Sequence, residues 1–303
     1  MLRISRQRNE DSQVKNNDKY PTTIHSVKVG QKTIHVTEAG TGYPLIMLHG
    51  GGPGASGMSN YSRNLQTLAQ NFRVIIPDMP GYGASTKGVN RDDPFGDLAS
   101  GILGLMDAMN ISCAHLVGNS LGGACALRMA LDQPTRVSAL VLMGPGGIGT
   151  TRALPTKGLN KLLNYYGGTG PSKEKLTDFI RNYLVYDGKL VSDVVIQERY
   201  LSSIDPDVIA APPLRRPTGL AGAIRMDFTR DQRLASCETP TLVIWGADDK
   251  VNRPSGGPRL QKTMRNCDLY VMSKTGHWAQ WERADEFNAI TTSFLSQHTL
   301  AKQ

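Results

Sequence analysis

Cysteine is scarce in this chain of 303 residues. The four that occur, Cys113, Cys125, Cys237 and Cys267, are far apart and form no C-x-x-C pair. This spacing argues against a disulfide framework and against a zinc site. We therefore expect a protein of the reducing cytoplasm that needs neither a metal ion nor another cofactor.

Long apolar runs are also missing. No window approaches the roughly 20 apolar residues that a membrane-spanning helix requires. A content of 39% hydrophobic and 20% charged residues is typical of a globular protein. Residues 1–20 are rich in Arg, Lys, Asn, Gln and Asp, so they lack the apolar core of a secretory signal. We interpret them as a flexible polar arm and expect no membrane partner.

The chain also contains no nucleic-acid-binding motif. Its net charge of +8 favours anionic partners through long-range attraction. The basic residues are nevertheless scattered, and outside the polar arm only Arg215 and Arg216 are adjacent. We therefore expect no nucleic-acid partner, whereas a small acidic substrate is compatible with this charge.

The hydrophobic pattern predicts a mostly parallel sheet. Apolar and polar residues alternate over residues 22–38, as in a hairpin at an antiparallel edge. Short apolar runs follow and alternate with helical patterns, which is typical of a doubly wound α/β fold. The predicted strands are 45–48, 74–76, 115–117, 139–142 and 241–245, and the predicted helices are 61–70, 94–109, 121–132, 257–264 and 284–295.

One segment breaks this alternation. Residues 146–233 contain amphipathic helical patterns, at 173–184 and 191–204, without a clear core strand. We interpret them as a helical cap inserted after the sixth strand, where it would form the pocket that selects the substrate. The α/β core then consists of residues 21–145 and 234–298.

The strongest local motif is Gly118-Asn119-Ser120-Leu121-Gly122, which lies between a predicted strand and a predicted helix. This strand-turn-helix context is that of a nucleophile elbow, in which a tight, strained turn exposes the serine hydroxyl. The motif predicts Ser120 as a nucleophile.

A serine hydroxyl needs an imidazole to accept its proton and a carboxylate to orient that imidazole. Two histidines follow the serine, and His298 lies in a polar tail, so we assign the base to His277 in a Gly-His-Trp turn. The acid should come from Asp248 or Asp249, after the strand at 241–245. The spacing from Gly246 favours Asp249.

The oxyanion formed on attack requires backbone N–H donors held in place beforehand. One should be Leu121, at the start of the helix after the serine. The other should come from the loop His49-Gly50-Gly51-Gly52-Pro53-Gly54, for which we favour Gly51. A phosphate cradle is disfavoured, because there is neither a Gly-Lys-Ser/Thr ending nor a G-x-G-x-x-G pattern.

Four strings together resemble the meta-cleavage product hydrolases, the 2-hydroxy-6-oxohexa-2,4-dienoate hydrolases of the α/β-hydrolase superfamily. They are HGGGPGASGMSNYSRN at 49–64, GNSLGG at 118–123, LMGPGG at 142–147, and SKTGHWAQWE at 273–282 followed by DEFN at 285–288. The resemblance implies the α/β-hydrolase fold, a homodimer or larger homo-oligomer, and hydrolysis of a carbon–carbon bond in dienoates made by ring cleavage of catechols.

The resemblance also implies contacts to a small-molecule dienoate. The implied substrate-binding residues are Gly52, Asn60, Asn119, Arg199 and Trp278. A guanidinium and side-chain amides suit the carboxylate and enol of the substrate head. The implied reaction is ketonisation of the dienol, followed by hydrolysis assisted by the serine and the histidine.

Several alternatives stay open from sequence alone. Arg199 can instead lie on the solvent face of a cap helix, and Asn60 and Asn119 can stabilise loops. The triad and oxyanion loop equally fit a carboxylesterase or lactonase, and a ligand-binding receptor can keep the same fold. The substrate tail is open among phenyl, alkyl, fused-ring and steroid fragments, with residues 210–225 and 250–254 expected to line or gate its pocket.

Overall fold

The computed structural model describes residues 20–300 and contains one eight-stranded sheet. The polar arm expected at 1–20 lies outside these residues, apart from Tyr20. The strands run in the order β1-β2-β4-β3-β5-β6-β7-β8. Their bounds are β1 Thr22–Val29, β2 Lys32–Ala39, β3 Tyr43–Leu48, β4 Phe72–Pro77, β5 Ala114–Asn119, β6 Val137–Met143, β7 Thr241–Gly246 and β8 Cys267–Met272.

Six strands form the parallel part of the sheet, as the hydrophobic runs predicted. Only β1 with β2 and β2 with β4 pair antiparallel, so the predicted hairpin forms one edge. The strands β5, β6 and β7 are buried along their whole length. Such strands are covered on both faces, which explains why they read as continuous apolar runs rather than as an alternation.

Helices cover both faces of the sheet and fill the connection between β6 and β7. Their bounds are α1 Gly57–Tyr61, α2 Leu65–Leu68, α3 Pro94–Ala108, α4 Leu121–Asp132, α5 Lys157–Leu163, α6 Lys173–Phe179, α7 Asp193–Ser203, α8 Pro206–Ala210, α9 Gly219–Arg225, α10 Arg233–Ser236, α11 Gly256–Thr263, α12 Ala279–Glu282 and α13 Ala284–Leu300. This arrangement confirms the expected fold class, with its helical insertion after the sixth strand.

The helix predicted at 61–70 was wrong, because two short helices occupy this region. A capping box between Ser56 and Ser59 starts α1 four residues earlier than expected. The Asn64 amide then donates to the carbonyl of Gln280 and to Asn288 Oδ1, at 3.0 and 2.9 Å. These bonds to distant elements fix the turn between α1 and α2, and no local periodicity reveals them.

The helical insertion has its own apolar cluster. It includes Leu176, Phe179 and Ile196 from the insertion, together with Trp278 and Trp281 from the segment after β8. The insertion is therefore packed directly onto the region that contains the candidate histidine. We keep the name cap for residues 146–233, and these boundaries stay an interpretation of the sequence.

The described part of the chain has neither a helix fit to span a membrane nor a cluster of metal-ligating side chains. None of its helices combines the length and the hydropathy that a membrane crossing requires. Within residues 20–300, no group of three or more His, Cys, Asp and Glu side chains is arranged to hold a metal ion. All four cysteines are free thiols.

Candidate active site

Ser120 lies in the tight turn between β5 and α4. Its backbone has φ 53° and ψ −110°, a conformation that residues with a Cβ rarely adopt. Such a residue persists only where its surroundings hold it, and here its N–H donates to the Met143 carbonyl while its own carbonyl accepts from Gly146. The strained turn that the motif predicted is thus present.

The glycines of this motif are required by close packing. A Cβ on Gly118 would overlap the backbone of Gly122, and a Cβ on Gly122 would overlap the carbonyls of Leu48 and His49. Helix α4 therefore begins in contact with the end of β3. This contact places the backbone after Ser120 beside the His49–Gly54 loop.

His277 and Asp249 form a buried pair. His277 Nδ1 donates to Asp249 Oδ2 at 2.7 Å. The other oxygen of the carboxylate accepts from the N–H groups of Val251 and Asn252, at 2.8 and 2.9 Å, and Trp245 Nε1 donates to Oδ2 at 3.1 Å. These donors fix the carboxylate, which in turn fixes the imidazole tautomer. The structure thus pairs the predicted base with Asp249 and not with Asp248.

The second ring nitrogen of His277, Nε2, is buried and has no hydrogen-bond partner among the described residues. With Nδ1 protonated, Nε2 holds the free lone pair that a general base requires. The backbone carbonyl of His277 accepts from Asn119, the residue before Ser120, at 3.1 Å. This bond ties the histidine loop directly to the turn that contains the serine.

Glu282 holds the histidine loop and was missed from the sequence. Its carboxylate accepts from the N–H groups of Gly276 and Trp278, which flank His277, and from Tyr186 of the cap. Burial raises the pKa of Glu282, although these backbone bonds and the nearby His277 lower it in part. A glutamate in a short helix matches no motif, so only the fold reveals its position.

The two predicted oxyanion donors are neighbours. A Cβ on Gly51 would come within 2.9 Å of the Leu121 side chain, so the loop and the start of α4 are in contact. The N–H groups of Gly51 and Leu121 donate to no acceptor in the described part of the chain. His49 shapes the loop, because it bonds the Gly50 carbonyl through Nδ1 and accepts from the Met79 N–H through Nε2.

Arg199 of α7 is buried, with 3% of its surface exposed, and does not lie on the solvent face of the cap. Its Nε donates to the Pro53 carbonyl at 2.9 Å, and its guanidinium lies 5.5 Å from the centre of the Trp278 ring. A Cβ on Gly52 would come within 2.7 Å of Nη2, and one on Gly54 would overlap the Arg199 carbonyl. The lack of side chains at these two glycines therefore leaves room for the arginine.

No carboxylate of the described residues pairs with Arg199, whose charged end makes only the bond to Pro53. Its neighbours include Tyr82, Tyr165 and Tyr166. Burial lowers the pKa of Arg199 to about 10, and the three tyrosines act in the opposite direction. The guanidinium stays protonated near pH 7 and offers an unpaired buried charge, which favours binding of an anion.

Asn60 and Asn119 act on the site indirectly in this structure. Asn60 Oδ1 accepts from Trp278 Nε1 at 3.0 Å and from the Gly50 N–H at 3.4 Å, while its amide donates to Ser56 and Ser59. Asn119 donates both amide hydrogens to backbone carbonyls. Instead of presenting free amides to a substrate, both residues position the histidine loop and its tryptophan.

Two cavities meet near these groups. The larger has a volume of about 470 Å³ and is lined by Ser120 and Leu121, and also by parts of residues 210–225 and 250–254. The smaller, of about 110 Å³, lies beside Gly51, Gly52 and Tyr82. Leu162 and Leu214 line both. The smaller cavity thus lies beside the predicted oxyanion loop, and the larger one lies beside Ser120.

A serine in this turn, with a buried Asp–His pair from the loops after β7 and β8, is the arrangement of a serine-type α/β-hydrolase. The family model of the alpha/beta hydrolase fold matches residues 43–284. The chain belongs to the α/β-hydrolase fold family.

Individual relatives support this membership. A 2-hydroxy-6-oxo-6-phenylhexa-2,4-dienoate hydrolase of Burkholderia cepacia is 39% identical over 281 residues, covering 90% of this chain and 95% of that protein. A 2-hydroxy-6-oxononadienedioate/2-hydroxy-6-oxononatrienedioate hydrolase of Comamonas testosteroni is 38% identical with the same coverage. The solved structure of a mutant meta-cleavage product hydrolase from Pseudomonas fluorescens IP01 superposes with a TM-score of 0.80 at 31% identity, covering 90% and 97% of the two chains. Within the α/β-hydrolase fold family, the chain therefore belongs to the meta-cleavage product hydrolases.

Proposed function

We propose that this protein hydrolyses the C5–C6 bond of 2-hydroxy-6-oxohexa-2,4-dienoates, the ring-cleavage products of aromatic catabolism. The observation that carries the proposal is Arg199, a buried guanidinium without a carboxylate partner among the described residues, beside the oxyanion loop. A charge buried in this way is costly until an anion pairs with it. A dienoate supplies that anion at its head, whereas a simple ester does not.

In the proposed reaction, the dienol first ketonises, and a proton is transferred to C5. The resulting ketone then accepts the electron pair when the bond between C5 and C6 breaks. Ser120, or a water molecule, then adds to the C6 carbonyl while His277 accepts its proton. The N–H groups of Gly51 and Leu121 stabilise the oxyanion. The products are a carboxylic acid from the tail and 2-hydroxypenta-2,4-dienoate, and one water is consumed.

The remaining residues support this assignment. Asp249 holds the tautomer of His277 in which Nε2 is free. Trp278 lies against Arg199, and Gly52 leaves room for its guanidinium. The proposal also includes a cytoplasmic location, supported by four free cysteines, and a homo-oligomeric assembly, which the family resemblance implies.

The direct test is hydrolysis of 2-hydroxy-6-oxo-6-phenylhexa-2,4-dienoate, followed by the loss of its absorbance and by identification of benzoate and 2-hydroxypenta-2,4-dienoate. We expect both products in equal amounts, and no turnover by the Ser120→Ala protein. The second candidate is a carboxylesterase or lactonase on the same site, which the serine and the buried Asp–His pair equally support. Cleavage of p-nitrophenyl acetate with an intact dienoate would establish that alternative instead.

A further inference from the structure

Helix α6 of the cap continues into a wider turn. Residues Ile180–Leu184 form a π-helix, in which the N–H group of Val185 donates to the carbonyl of Ile180, five positions earlier, at 3.3 Å. In an α-helix such bonds join residues four positions apart. Single π-helical turns are rare and occur frequently at functional sites. This π-helix ends where the cap meets the loop after β8, which contains His277.

The end of the π-helix bonds to the predicted base. The last carbonyls of a helix have no partner within the helix and need one elsewhere. Here the carbonyl of Leu184, the last residue of the π-helix, accepts from the backbone N–H group of His277 at 2.8 Å. Both residues are buried. The cap is thus bonded directly to the backbone of the residue whose imidazole is the predicted base.

Gly276 allows the two backbones to come into contact. A Cβ on this glycine would come within 2.8 Å of the carbonyl oxygen of Leu184, the carbonyl carbon of Val185 and the nitrogen of Tyr186. The N–H group of Tyr186 also donates to the Glu282 carboxylate at 2.6 Å, and the same carboxylate accepts from the N–H group of Gly276. The end of the π-helix is therefore fixed against the histidine loop by close packing and by hydrogen bonds.

Three hydrogen bonds hold His277. Its Nδ1 donates to Asp249, its carbonyl accepts from the amide of Asn119, and its N–H group donates to the carbonyl of Leu184. The first two partners belong to the α/β core, and the third belongs to the cap. Because peptide groups are planar, holding both the N–H group and the carbonyl of a residue fixes the direction of its side chain. A misplacement of about 1 Å can lower a rate about a hundredfold.

We propose that the π-helix of the cap is a positioning element for the catalytic base, and that it acts through the Leu184 carbonyl on the backbone of His277. This inference rests on the role of His277 in the proposed function and does not depend on the identity of the substrate. The cap then has two separate tasks. Helix α7 supplies Arg199 for the substrate head, and the π-helix fixes the residue that accepts the proton of the nucleophile.

Two valine-to-proline substitutions in the cap provide the test. Val185→Pro removes the N–H group of the π-helical bond. Proline also disfavours the helical conformation of the residue before it, so the Leu184 carbonyl should turn away from His277. Val191→Pro is the matched control. Val191 is equally buried, follows a short 3₁₀-helix, and donates to the carbonyl of Gly188 at the same distance of 3.3 Å.

Val185→Pro should lower kcat for the 6-phenyl dienoate about ten- to hundredfold, with KM changed less than threefold, because the base is misplaced and the binding pocket is not. It should lower kcat/KM for p-nitrophenyl acetate by a similar factor. Val191→Pro should change both less than threefold. The loss for both substrates distinguishes positioning of the base from recognition of the substrate head by Arg199, which concerns the dienoate alone.

Gly276→Ala approaches the same contact from the α/β core. Its Cβ overlaps the end of the π-helix, so the bond between Leu184 and His277 should lengthen and kcat should fall with little change in KM. Gly104→Ala is the control for this substitution, because its Cβ would come within 2.4 Å of Val29 Cγ1, between α3 and β1. It should leave kcat unchanged. If the first proline variant does not fold, this pair decides the question.

A readout without substrate is the NMR resonance of the His277 Nδ1 proton, which reports on the bond to Asp249 and is assigned by its loss from the His277→Gln protein. This resonance should shift in Val185→Pro and in Gly276→Ala, and it should keep its position in Val191→Pro.

The outcomes separate the two proposals. Unchanged kcat in both Val185→Pro and Gly276→Ala, or equal losses in the two proline variants, overturns the positioning role. A loss confined to the dienoate also overturns it, because the π-helix would then act on the substrate head. If the unaltered protein hydrolyses no dienoate, the proposed function fails, whereas p-nitrophenyl acetate and the His277 resonance still decide this inference.

Discussion

Asp249 and His277 bond through Oδ2 and Nδ1 at 2.7 Å, and their side chains are only 1% and 3% exposed. Because the proton of the neutral imidazole is held on Nδ1, the basic nitrogen is Nε2, which has no protein partner in the described residues. This relationship distinguishes two adjacent aspartates that the sequence could separate only by spacing. Asp248 therefore provides a matched control for a substitution of Asp249.

Asp249→Asn should lower kcat about 10⁴-fold, because the amide can donate to Nδ1 and so favours the wrong tautomer of His277. Asp248→Asn should change kcat less than threefold. Steady-state hydrolysis of the 6-phenyl dienoate measures both. A larger loss in the Asp248 variant would assign the orienting role to the other carboxylate.

Replacement of Ser120 separates catalysis from backbone strain. Ser120→Ala and Ser120→Gly should both abolish turnover, while the dienoate still binds and remains visible by its absorbance. The glycine variant should nevertheless be more stable than the alanine variant, by about 1 kcal/mol, because φ 53° with ψ −110° is unfavourable only for a residue with a Cβ. Denaturant unfolding of the two variants measures this difference. Equal stabilities would show that the turn stores no strain.

Arg199→Gln should lower kcat/KM for the dienoate about a hundredfold or more, because the substrate head loses its charge partner in a buried site. Hydrolysis of p-nitrophenyl acetate should change less than threefold. Burial places the pKa of Arg199 at about 10. Dienoate binding to the Ser120→Ala protein should therefore weaken as the pH rises through about 10, since the guanidinium then loses its proton. Equal losses for the two substrates would remove the carboxylate role.

Glu282→Gln should lower kcat about tenfold with little change in KM, because an amide cannot hold every N–H group that flanks His277. A second measurement is the free energy of unfolding as a function of pH. Burial raises the native pKa of Glu282 above 4.5, so the folded state binds the proton more tightly than the unfolded state. The contribution of this group to the free energy of unfolding should therefore fall as the pH rises from about 4.5 through the native pKa.

In Glu282→Gln that fall should be absent, whereas Glu238→Gln, at an exposed position, should keep it. Urea unfolding of the three proteins between pH 4.5 and 8 measures the effect. If kcat of Glu282→Gln matches that of the unaltered protein, the glutamate does not position the histidine.

The sequence predicted the fold well where its signals are local. The buried strands correspond to continuous apolar runs in the sequence. The start of helix α4 lies in a recognisable nucleophile motif. It failed at 61–70, where Asn64 bonds to residues more than 200 positions away. It also missed Glu282 and could not decide the surroundings of Arg199, because both depend on how the cap meets the loop after β8. Contacts of that kind leave no periodic trace in a single sequence.

The contact between Arg199 and the loop at Pro53 and Gly54 has a consequence for protein engineering. The arginine comes from the cap, and the loop comes from the α/β core, so neither part alone contains the contact that we propose for recognition of the substrate head. A chimera that exchanged caps between relatives would keep its hydrolytic residues but lose head recognition, unless the new cap supplied an arginine that fits against the same two backbone groups. Any exchange of the cap in this protein must therefore preserve this contact between the cap and the loop.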